Sequence, residues 1–86
     1  MARASKPAKP LRSSEHRALR GLLVAARRKA KLTQVDLAKR LGKPQSFVAK
    51  YEGGERRLDV VEFLAVSKAL GADARAIIRD LLKKSL

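Results

Sequence analysis

The sequence predicts an all-α domain of five short helices, and three observations carry that reading. Apolar residues recur at the three- and four-residue spacing of a helix face, nothing alternates with the period of a strand, and cap and stop signals separate the apolar segments. Thr33 with Asp36 and Asp59 with Glu62 have the spacing of capping boxes, while Gly42, Gly53-Gly54 and Gly71 stand where a chain leaves a helix.

Residues 1–13 carry Arg3, Lys6, Lys9 and Arg12, two prolines and no acid, so they are expected to form a flexible basic tail ahead of a domain over residues 14–86. Helix 1 is expected from an N-cap at Ser14. Its apolar face is Leu19, Leu22, Leu23, Ala26 and Ala30, with Arg17, Arg20, Arg27 and Arg28 between them. The first 31 residues share the Arg-, Ala- and Ser-rich composition of a mitochondrial targeting peptide, but Leu23, Ala26 and Arg27 are claimed by the folded domain. Helix 2 follows Thr33 for about two turns, with Val35, Leu37, Ala38 and Leu41, and ends at Gly42. Pro44 suits the first turn of helix 3, which carries Val48 and Tyr51 inward. Helix 4 follows Asp59 with Val61, Leu64, Ala65 and Ala69 as its apolar positions. Helix 5 follows Asp73 with Ile77, Ile78, Leu81 and Leu82, and Lys83 and Lys84 sit at its negative dipole end.

Composition narrows the function. Eighty-six residues support one small core. Without cysteine there is neither a disulfide framework nor a thiolate metal site, and a reducing cytoplasm suits the chain. A net charge of +13 attracts a polyanion. No apolar run approaches the roughly 18 to 20 residues of a membrane-spanning helix, so no membrane partner is expected. One histidine, placed by the pattern on the open surface at His16, and no paired acids leave no constellation for catalysis, metal or cofactor binding.

The turn between helices 2 and 3 is about three residues long, too short for antiparallel packing, so the two helices must cross steeply. Such a crossing needs a small residue at the contact, supplied by Ala38, an apolar partner, Val48, and a bend, Gly42. Ala38, Gly42 and Val48, together with KYEGGERRL, resemble the helix-turn-helix of the lambda-repressor-like, or Xre-type, DNA-binding family over Leu23 to about Leu82. The resemblance implies a compact five-helix DNA-binding domain. It implies that Gln34 holds a DNA phosphate, and that Gln45, Ser46 and Lys50 face the major groove with Ala49 offering a methyl contact. It also implies that Arg27 and Glu52 form a partly buried ion pair that orients helix 3. Helical geometry agrees, because Val48 and Tyr51 turned inward leave Gln45 and Ala49 on one outer ridge and Ser46 and Lys50 on the next. Lys43, Arg56 and Arg57 would flank the groove and hold the backbone. Phe47, exposed by the same pattern, would either pack on helix 4 or touch a thymine methyl.

The sequence departs from the family pattern at Lys31, where glycine is common after helix 1, and at Pro44, which replaces a Ser or Thr cap. The expected function is a sequence-specific regulator of transcription, acting as a repressor, on double-stranded DNA in a prokaryotic cytoplasm, associated with the nucleoid. One recognition helix reads only a few base pairs, so a homodimer on a palindromic operator is expected, joined through helix 5. The basic tail would add phosphate contacts or enter the minor groove. The rival reading is an antitoxin-like module that neutralises a partner protein and regulates its own promoter.

Overall fold

A computed structural model describes residues 13–85 as five helices with no strand among them: α1 (Ser13–Lys29), α2 (Gln34–Leu41), α3 (Gln45–Glu52), α4 (Val60–Leu70) and α5 (Ala74–Ser85). The basic tail lies outside the described residues except for Ser13. That residue already belongs to α1, so Ser14 is inside the helix rather than its cap, with Oγ directed to the neighbouring Glu15 carboxylate at 3.4 Å.

Both capping boxes form. Thr33 Oγ1 accepts from the Asp36 amide at 3.0 Å, and the Thr33 amide donates back to Asp36 at 2.9 Å, which holds that carboxyl below the usual carboxylate range. Asp59 and Glu62 repeat the arrangement at the start of α4. Gly42 (φ 67°) and Gly71 (φ 70°) end α2 and α4 in the left-handed conformation. Pro44 stands just ahead of α3 as its cap, not within its first turn, and it supplies no side-chain bond.

The core gathers Leu23, Leu37, Ala38, Val48, Tyr51, Phe63, Val66, Leu70 and Ile77 from all five helices. α1 lies along α5, and α2 crosses α3 and rests on α4. The buried face of α4 differs from the expected one: Phe63, Val66, Ser67 and Leu70 turn inward, whereas Val61 and Leu64 are exposed together with Val60. The one polar side chain within that face, Ser67, donates to the Phe63 carbonyl at 2.9 Å, so its hydroxyl is satisfied inside the helix. On α5, Ile77 is buried and Leu81 half-buried, while Ile78 and Leu82 remain exposed.

Lys31 takes the left-handed conformation that its sequence position demands (φ 60°), as the Leu32 amide reaches back to the Arg27 carbonyl at 3.1 Å. A β-carbon is unfavourable there. Lys31→Gly is therefore expected to stabilise the domain by about 0.5–1 kcal/mol, read as a higher thermal midpoint, with Lys31→Ala giving no such gain.

Candidate nucleic-acid interface

The α2–α3 unit is set by Ala38 and Val48, 3% and 0% exposed, and by the turn that carries the Lys43 amide onto the Ala38 carbonyl at 3.0 Å. With Val48 and Tyr51 buried, the outer face of α3 presents Gln45, Ser46 and Lys50 to solvent and Ala49 half-buried beside them. Eight residues at 1.5 Å rise make α3 about 12 Å long, matching the width of a major groove, about 12 Å.

A chain of side-chain bonds lies behind this face. Arg27 grips Glu52 with two parallel bonds, Nε to Oε2 at 2.8 Å and Nη2 to Oε1 at 3.0 Å, and its remaining Nη1 donates to the Leu32 carbonyl at 2.9 Å. The bonds to Glu52 raise the Arg27 pKa further. Glu52 Oε1 also accepts from Gln34 Nε2 at 2.9 Å, and Gln34 Oε1 accepts from Gln45 Nε2 at 3.3 Å. The ion pair on helices α1 and α3 is thus connected through the first residue of α2 to the first residue of α3. Gln34 is half-buried and bonded within the protein on both sides of its amide.

Phe47, expected to be exposed by the helix pattern, packs partly against the core. It is half-buried, with its ring meeting Tyr51 edge-on at 5.8 Å and 67°, Lys43 Nζ at 5.5 Å and the Arg56 guanidinium at 4.8 Å. Arg56 is committed within the protein as well, donating to both oxygens of Glu62 at 2.9 and 2.7 Å and to the Arg57 carbonyl at 3.0 Å. The Arg56 bonds, with the Asp59 amide, hold the Glu62 carboxyl down to about 2. Arg57 and Lys43 are exposed. His16, expected on the open surface, is half-buried.

Sequence reasoning missed the Gln34 bridge and the Arg56 pair with Glu62. The second left a trace, since Glu62 was legible as a capping residue that follows an arginine-rich turn. Neither could be found from helical spacing, because both join different elements.

A helix-turn-helix family model matches residues 23–77. No curated protein matches the chain. Among solved structures, an XRE-family like protein from Pseudomonas syringae pv. tomato str. DC3000 is 43% identical with a TM-score of 0.83, covering 88% of this chain and 93% of that one. The wild-type restriction-modification controller protein C.Esp1396I is 20% identical with a TM-score of 0.76, covering 83% of this chain and 93% of that one, and shares the fold. A point mutant of that controller is equally similar, at 21% identity and a TM-score of 0.76 over 84% and 91%. With the buried crossing of α2 and α3 and the outward polar face of α3, these matches mean that the chain belongs to the lambda-repressor-like, Xre-type helix-turn-helix family of DNA-binding transcription regulators.

Proposed function

We propose that the protein is a repressor that reads a palindromic operator as a dimer, with α3 in the major groove of each half-site. The observation that carries this reading is the exposed polar face of Gln45, Ser46 and Lys50 on a helix whose opposite face is anchored by Val48 and Tyr51. Gln45 pairs with adenine, Lys50 donates to guanine, and Ser46 serves either. Gln34, at the N-terminus of α2, offers its backbone amide to a phosphate, Lys43 and Arg57 hold the flanking backbone, and Arg56 adds a weaker field because Glu62 neutralises it. Ala49 and Phe47 contribute apolar contact.

Dimerisation follows from the shortness of α3, which spans only a few base pairs. The apolar residues left uncovered support a joining surface on α4 as well as α5: Val60, Val61 and Leu64 are exposed alongside Ile78 and Leu82, whereas Ile77 is occupied by the core.

Selection of bound fragments from random duplex DNA is expected to recover an inverted repeat with half-site centres about one helical turn apart; a solitary, asymmetric site would overturn the dimer. On the recovered site, Gln45→Ala is expected to weaken binding by about 1–3 kcal/mol and to leave binding to random duplex nearly unchanged. Equal losses on both duplexes would contradict base reading by Gln45.

A further inference from the structure

A second basic feature lies away from the outer face of α3. Between the N-terminal half of α1 and the loop joining α3 to α4 is a cleft of about 210 Å³, far above the roughly 15 Å³ that admits one water. Four arginines line it, Arg17, Arg20, Arg56 and Arg57, with Tyr51 and no carboxylate. Arg56 is held by Glu62, but Arg17, Arg20 and Arg57 are not ion-paired with a carboxylate among the described residues. Gathering like charges around a concavity is unfavourable unless an anion joins them.

Two details suggest a built site rather than a solvated basic surface. The Arg20 guanidinium lies flat against Gly54, its atoms 3.1 to 3.3 Å from where a β-carbon would stand, so a residue without a side chain lets it reach the cleft. The Tyr51 hydroxyl is buried, in a residue 1% exposed, and has no hydrogen-bond partner among the described residues. A buried orphan hydroxyl is unfavourable, and here it belongs to a residue that lines the arginine-rich cleft. Burial also pushes the loss of its proton upward, so the hydroxyl is a neutral donor throughout the physiological range.

We propose that this cleft is a binding site for a phosphoryl group, gripped by the guanidiniums of Arg17, Arg20 and Arg57 and completed by a hydrogen bond donated from Tyr51 Oη. Arginine suits the role because its planar fork of donors matches phosphate oxygens. The phosphoryl group can come from a small phosphorylated compound or from a nucleic-acid backbone passing the α3–α4 loop, and the site stands independently of base reading by α3.

The test titrates inorganic phosphate into the full chain by calorimetry at fixed ionic strength in chloride, without DNA. Tyr51→Phe keeps the ring in the core and is expected to stay folded, since it removes only an unpaired hydroxyl. It is expected to lower phosphate affinity about tenfold, as is Arg20→Gln. Arg75→Gln, which removes the same charge from a side chain 94% exposed on α5, is expected to change it less than about twofold. Equal weakening by Arg20→Gln and Arg75→Gln, no effect of Tyr51→Phe, or no saturable phosphate binding at all would overturn the proposal. Salt titrations with duplex DNA then assign the source. A salt slope reduced by about 1 in Arg20→Gln, with phosphate competing against duplex, identifies the nucleic-acid backbone. Unchanged duplex binding beside lost phosphate binding identifies a small phosphorylated compound. Either supports the site.

Discussion

Arg27→Ala is expected to destabilise the domain by about 3–5 kcal/mol, the largest loss of any single substitution outside the apolar core. The Arg27 and Glu52 side chains are only 12% and 7% exposed, so deleting the guanidinium leaves a carboxylate that water cannot fully solvate. The Leu32 carbonyl loses its partner in the same change. At about 4–8 °C per kcal/mol for a domain of this size, the thermal midpoint falls by well over 10 °C. DNA binding falls too, because Glu52 also holds Gln34. A mutant that melts like the wild type and yet fails to bind DNA would make Arg27 a direct DNA contact instead.

Ala38→Leu is expected to destabilise by about 3 kcal/mol, near the upper end of what overpacking a close helix contact produces. Ala38 is 3% exposed and shares the core with Val48, so three added carbons force α2 and α3 apart. The turn has little slack to absorb the shift, since the Lys43 amide is bonded to the Ala38 carbonyl itself. Binding to the preferred site should fall further than binding to random duplex, because the bases are reached only if α3 keeps its angle. A denaturation midpoint equal to that of the wild type would show that the crossing is looser than the burial of Ala38 and Val48 implies.

What was legible in the sequence was local. The boxes at Thr33 and Asp59 and the stops at Gly42 and Gly71 are determined within four residues of chain, and each formed as its spacing requires. The inward face of α4 was not legible, for a physical reason. Val60, Val61, Phe63, Leu64, Ala65, Val66, Ala69 and Leu70 make that helix apolar nearly all round, so periodicity cannot choose a side. The choice falls to tertiary packing, which takes Phe63, Val66 and Leu70. The start of α1 was misplaced by two residues, because Ser14 is a good cap by composition while the helix already includes Ser13. At the interface, the outward set on α3 followed from Val48 and Tyr51 facing inward. The bridge from Gln34 to Glu52 and the capture of Arg56 by Glu62 join residues 18 and 6 positions apart on different elements, where no period reaches.

The glutamine bridge gives the α3 surface a handedness of donors and acceptors. A carboxylate only accepts, so Glu52 obliges Gln34 to turn its nitrogen inward and its oxygen toward Gln45. Gln45 must answer with one N–H, which leaves its carbonyl oxygen and second N–H aimed at whatever approaches. That is the complement of adenine's N6 and N7 and a mismatch for guanine's two acceptors. In the proposed docking, a carboxylate fixed by an arginine on α1 thereby decides which purine the first residue of α3 prefers.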